Sequence, residues 1–270
     1  MRIHPTAIVS PQADLDPSVE VGPYAIIEDN VRIATGTRVM ARAYITGYTE
    51  IGRDNQIHMG AVIGHEPQDL KFDRSIRSYL RIGDRNVFRE YTTVHRGTEP
   101  DSATIIGNDC FLMANAHVGH NCVVGNQVII CNGALLAGHV HVQDRAFLSG
   151  YVLIHQFIHI GRLAMMSGGA RVSMDVPPFL LASERNEIST VNLIGLKRAG
   201  VPPAGIAEIK KLFKLFYHAG LNGSQALAEA TKEGAFQTPE ARGFIEFVRN
   251  SPNGICPGAA RSERKTVSAI

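Results

Sequence analysis

The chain has no tryptophan, 7% aromatic residues and four cysteines among its 270 residues. Cys110, Cys122, Cys131 and Cys256 show no C-x-x-C spacing and no secretory signal precedes them, which points to a reducing cytoplasm. No apolar run reaches membrane-spanning length, so no integral membrane segment is expected. Charge of one sign is also scarce: a formal net charge of +2 and a pI near 8.4 are too mild to indicate a nucleic-acid partner. What remains, 44% hydrophobic and 19% charged residues, suits a globular chain with a large core in one or two domains.

The dominant presence is a period. Stepping by six from Ile3 gives Val9, Leu15, Val21, Ile27, Ile33, Val39, Ile45, Ile51, Ile57 and Ile63. The phase returns at Ile82, Phe88 and Val94, and again from Ile106 through Leu112, Val118, Val124, Ile130, Leu136, Val142, Leu148, Ile154, Ile160, Met166 and Val172. A helix needs a period of 3.6, whereas a fixed hexad predicts a parallel β-helix whose three short sides close one eighteen-residue coil. The fourth residue after the aliphatic is often alanine, as at Ala43, Ala61, Ala116 and Ala134, because a corner beside an inward aliphatic is tight. Glycine often follows the aliphatic directly, as at Gly22, Gly52, Gly64, Gly83, Gly107, Gly119, Gly125 and Gly161, where a positive φ is expected.

Two interruptions, in 64–81 and 98–105, must loop outward. The first carries HEPQDLKFDRS, whose polar groups fit either a ligand contact or a solvated excursion. The β-helix is expected over 1–178 and ends where Pro177 and Pro178 cannot donate to a ladder. A connecting segment over 179–200 then leads to an α-helical domain over 201–250. Its helices are marked by Ile206, Ile209, Leu212, Phe213 and Phe216, by SQALAEA, and by Phe244, Phe247 and Val248. Residues 251–270, polar and basic, are expected to form a flexible tail.

Chemistry concentrates between Asn115 and Gln156, in NAHVGHNCVVG, LLAGHVHV and VLIHQF. With eighteen residues per coil, His120, Gly138 and Gln156 share one register position, two after Val118, Leu136 and Ile154, and form a column that faces away from the core, with His139 beside it. A neutral imidazole can take a proton from an attacking hydroxyl near neutral pH, and a glycine backbone N–H can meet a developing oxyanion. Against this stands the plainer reading that Gly138 only turns a corner. The spacings His117 to His120, His139 to His141 and His155 to His159 suggest no single tetrahedral arrangement, so no metal is expected.

With PQDLK, IGDRN, VHRGT, NAHVGHNC, LAGHV, HQF, DVPPF and GLKR in this order, the chain over about 3–250 resembles the acyl carrier protein-dependent UDP-N-acetylglucosamine O-acyltransferases of lipid A synthesis. The resemblance implies a mainly β fold, a left-handed parallel β-helix of hexapeptide repeats with a small C-terminal α-helical domain. It also implies a homotrimer with active sites between subunits. The reaction it implies moves a 3-hydroxyacyl group from the phosphopantetheine of acyl carrier protein to the 3-hydroxyl of the UDP-sugar, without a free cofactor. By motif, His120 matches the general base, Gly138 the oxyanion donor, His139 a positioning histidine and Gln156 a sugar or nucleotide contact. Asp69 and Lys71 match loop residues at the acceptor, His95 the histidine of the HRG motif, and Asn192 and Arg198 the nucleotide-binding segment. Gly168 falls where the family sets acyl length, and its missing side chain favours a longer chain.

The chain also departs from the family pattern. Asn121 stands where an acid usually follows the base, LASERNEISTVN is one residue shorter than its counterpart, and Ile194 and Ala199 replace an acidic and a basic residue. An amide can orient an imidazole but cannot stabilise imidazolium by charge. Because the remaining changes lie on the nucleotide side, a paralogue using another acceptor, such as a 3-amino sugar, and a non-catalytic or metal-binding β-helix scaffold stand as alternatives.

Overall fold

A computed structural model describes residues 2–259. Most hexads form a two-residue strand followed by a turn, and strands three hexads apart pair in parallel, such as Arg2–Ile3 with Glu20–Val21. The strands gather into sheets of eleven, nine and eight strands, the three walls of a left-handed parallel β-helix. The register aliphatics point inward: Ile27, Ile45, Ile63, Val94, Val118, Leu136 and Ile154 are each at most 2% exposed and stack as one column. Each such side chain contributes roughly 1.5–3 kcal/mol on burial, which offsets the ordering of strands too short to stand alone.

The corners correct one expectation. Left-handed backbone occurs three residues after the aliphatic, at Asn30, Asp54, Asn115, Asn121, His139 and Phe157 among others; of the glycines directly after it, Gly64 has the expected positive φ of 84°, while Gly22, Gly52, Gly83, Gly107 and Gly125 do not. Those glycines answer a different demand. A Cβ on Gly107 would lie 2.6 Å from the Gly125 carbonyl oxygen, and one on Gly22 2.9 Å from the Ala41 nitrogen. Close approach of successive coils, not φ, requires them. The left-handed residues are held by the neighbouring coil, as where His139 N–H donates to the His120 carbonyl at 2.9 Å. Where the tight corner is not alanine, it can be a satisfied amide: Asn55 and Asn86 are fully buried and donate to the Gly83 and Gly107 carbonyls at 2.9 Å.

The residue two after the aliphatic stands outside the ladder. At the regular corners its N–H meets no backbone carbonyl of the next coil, so Pro5, Pro11, Pro17 and Pro23 occupy this position without loss.

Beyond Val172 the solenoid ends in a hairpin, Leu180–Ser183 against Glu187–Val191, which extends the eleven-stranded sheet through Met165–Met166. The expected connecting segment is therefore part of the sheet. Helices α1 (Leu193–Arg198), α2 (Pro203–His218), α3 (Gly223–Ala230) and α4 (Pro239–Arg249) follow, with Leu196, Ile209, Leu212 and Phe244 continuing the core. The tail expected from 251 is packed over its first part: Ile255 bridges Asp175, Gly258 bridges Ile188, and Cys256 is buried. Its remainder, residues 260–270, lies outside the described residues.

Candidate active site

A cleft of about 650 Å³ runs along the nine-stranded sheet. Its floor follows from register: His117 pairs Leu135, Leu135 pairs Leu153, and Leu153 pairs Arg171, each one residue before an inward aliphatic. Three strand spacings, about 14 Å, separate the first from the last. The cleft is polar at one end with His95, His117 and His120, apolar in the middle with Leu135 and Leu153, and basic at the other end with Arg171 and Arg185.

His120, Gly138 and Gln156 all line it, as the column arithmetic predicts. The imidazole of His120 lies over Gly138: a Cβ there would be 2.4 Å from His120 Cε1 and 2.5 Å from Nε2. Glycine is thus required for the ring to take this position. Gly138 sits two after Leu136, outside the ladder, and its N–H has no backbone acceptor among the described residues. A base and an uncommitted donor therefore stand together over an apolar trough, the pairing that acyl transfer through a tetrahedral oxyanion needs.

His139 packs edge-on against His120, with ring centroids 5.1 Å apart, and stacks on Phe157 at 4.6 Å. On the other side of the base, Nδ1 lies 3.0 Å from Asn121 Oδ1. His117 is held through Nδ1 by the Thr93 hydroxyl at 2.7 Å. His95 is 5% exposed; its burial, then the neighbouring His117, His65 and His120, press its imidazole down to about 4. Burial and then His120 likewise lower His117 and His139. The groups around His120 are accordingly neutral imidazoles near pH 7.

Other residues singled out from the sequence do not meet in this cleft. Asp69 and Lys71 lie exposed on the outward loop, where Asp69 Oδ1 accepts the Lys71 backbone N–H at 2.9 Å, and only Gln68 of that loop lines the cleft. Asn192 is buried as the N-cap of α1, accepting from Gly195 N–H at 3.0 Å and donating to the Leu163 carbonyl at 2.9 Å. Arg198 is exposed in the last turn of α1. Gly168 is exposed at a corner, and a Cβ there would touch only the Gly150 carbonyl, at 3.6 Å. Sequence reasoning missed Arg171, Ser173 and Arg185 in the cleft; the eighteen-residue step from His117 already leads to Arg171. His141 and His159 pack edge-on against each other at 5.0 Å on the eight-stranded sheet. Among the described residues no three His, Cys, Asp or Glu side chains converge to hold a metal ion, and no helix is long and apolar enough to cross a membrane.

The chain is similar to known proteins over most of its length. A family described as Udp N-acetylglucosamine O-acyltransferase, domain 2, matches residues 175–256, and the bacterial transferase hexapeptide (six repeats) family matches residues 103–138. The acyl-[acyl-carrier-protein]–UDP-N-acetylglucosamine O-acyltransferase of Gloeothece citriformis is 51% identical over 208 residues, 77% of this chain and 74% of that protein. The enzyme of the same name from Thermodesulfovibrio yellowstonii is 43% identical over 257 residues, 94% of this chain and 99% of that protein. The crystal structure of Francisella novicida UDP-N-acetylglucosamine acyltransferase superposes with a TM-score of 0.91 at 35% identity, covering 94% of each chain. With the hexad coil, the histidine–glycine column and relatives of this identity and extent, the chain belongs to the acyl-[acyl-carrier-protein]–UDP-N-acetylglucosamine O-acyltransferase family.

Proposed function

We propose that this chain transfers a 3-hydroxyacyl group from acyl carrier protein to the 3-hydroxyl of UDP-N-acetylglucosamine, the first step of lipid A synthesis, in the cytoplasm. The observation that carries this reading is the placement of the His120 imidazole against Gly138, whose N–H is uncommitted, at the head of an apolar trough. His120 removes the proton of the sugar hydroxyl as its oxygen attacks the thioester carbonyl. The Gly138 N–H stabilises the oxyanion, and His120 returns the proton to the departing thiolate. His139, backed by Phe157, holds the base in place, and Gln156 contacts the sugar nucleotide. The acyl chain lies over Leu135 and Leu153, and the arginines at the basic end bound that trough, with Gly168 outside it at an exposed corner.

The working unit in this reading is a homotrimer. Asp69 and Lys71 on the outward loop, and Arg198 on α1, do not reach the cleft of their own subunit but are free to reach a neighbour's. Leu135 and Leu153, 41% and 42% exposed, would be covered there. Asn192, committed to its own helix, would act by shaping the segment that presents Arg198. Incubation of the purified chain with UDP-N-acetylglucosamine and 3-hydroxyacyl carrier proteins of several lengths, read by mass spectrometry, should give the 3-O-acyl product. Absence of product at every length would refute the reading, and a monomer in light scattering at micromolar concentration would refute its shared site.

A further inference from the structure

The second outward segment does more than cross a gap between coils. Thr98 lies on it, between Thr93–His95 and Ala103–Ile106. Its backbone N–H donates to Asn121 Oδ1 at 3.0 Å and its hydroxyl to the same oxygen at 2.8 Å. That oxygen also lies 3.0 Å from His120 Nδ1. Asn121 is held from behind as well, since its own N–H donates to the hydroxyl of the fully buried Thr104 at 2.8 Å.

A carboxylate at position 121 would present an acceptor whichever way it turned. An amide has one accepting end and one donating end, and the two orientations have nearly the same shape. Turning the Asn121 amide over would set its NH2 against the Thr98 backbone N–H, donor facing donor, losing that hydrogen bond and forcing the Thr98 hydroxyl to reverse from donor to acceptor. With the oxygen held toward His120, Nδ1 can only be the protonated nitrogen. The lone pair is then on Nε2, the atom beside Gly138.

We propose that Thr98 is a positioning residue: acting through Asn121, it selects the amide orientation that makes His120 an Nδ1–H tautomer and so a base at Nε2. This rests on His120 being the base.

The test compares Thr98→Val, Thr98→Ser and Asn121→Asp, alone and combined, in the full chain. Losing one hydrogen bond to the amide is expected to lower kcat about threefold to tenfold in Thr98→Val with KM nearly unchanged, while Thr98→Ser restores it. In the Asn121→Asp background, where no amide can turn over, Thr98→Val should lose much less. Nitrogen NMR of labelled histidine should show Nδ1–H at His120 in the parent chain and a tautomer mixture in Thr98→Val, whether or not any substrate is turned over. An unchanged tautomer with unchanged kcat, failure of serine to rescue, or an equal loss in the Asn121→Asp background would each overturn the proposal. An active His120→Ala variant would instead overturn the reading it rests on.

Discussion

Two histidine pairs in this chain obey the same arithmetic and end differently. His141 and His159 are eighteen residues apart, on adjacent strands of the eight-stranded sheet, and meet edge-on at 5.0 Å; His120 and His139 also meet edge-on, at 5.1 Å, at a corner beside the nine-stranded sheet. The first pair sits one residue before the aliphatic, where both neighbours are side chains in register. His120 sits two after it, where the backbone N–H is outside the ladder and the next coil offers a glycine. A repeat places histidines at equivalent heights, but only one pair has a glycine over which the ring can lie and a free donor beside it.

That contrast breaks first at His120. His120→Ala should lower kcat by about 10²- to 10⁴-fold while leaving the melting temperature nearly unchanged, since the ring is outside the hydrophobic core. His141→Ala, measured alongside, should stay within about twofold of the parent rate. Equal losses in the two variants would mean that the column has no special chemistry. Gly138→Ala probes the other half of the pair. Its Cβ would lie 2.4 Å from the ring, so His120 must move, and a loss on the order of 10²-fold is expected with a modest loss of stability. Full activity in this variant would remove the reason for glycine at 138.

The smallest effect is on stability against pH. The imidazole of His95 takes a proton only near pH 4 in the folded chain and near 6.5 when unfolded. The unfolded state therefore binds protons first as the pH falls. Its contribution is complete above about pH 6.5 and is lost between there and about pH 4. Denaturant melts from pH 7 to pH 5 should fall less steeply in His95→Gln than in the parent, and an identical slope would show that His95 carries none of the dependence.

Much of this was legible because one period governs both core and site. The eighteen-residue step that stacks Val118, Leu136 and Ile154 inside also stacks His120, Gly138 and Gln156 outside, so the column was readable before any coordinate. The step fails where the chain leaves the period. Asp69 and Lys71 lie on an insertion whose path no repeat dictates, and Thr98 reaches Asn121 only because the second insertion folds back against the coil. The hairpin at Leu180–Ser183 was read as a connector because Pro177 and Pro178 break the hexad, although the chain rejoins the same sheet two residues later. Among the glycines after the aliphatic, Gly64 answers a positive φ and Gly22 or Gly107 a close backbone approach; both demands favour glycine, and one sequence does not separate them.

The unused amide at the second position after each aliphatic has a consequence for how such a fold acquires chemistry. It amounts to one vacant socket at each regular corner, repeated along the axis every 4.8 Å or so. In the first coils those sockets are plugged by proline, at Pro5, Pro11, Pro17 and Pro23; farther along, Asn108 and Asn126 fill theirs with the side chains of Asn126 and Asp144 from the next coil. The socket is open at Gly138, as it is at Asn132 and Gly150, but at Gly138 an imidazole from the preceding coil lies over it. Installing a reaction centre in this scaffold is then a matter of which side chain is set beside an open socket, with no change to the backbone.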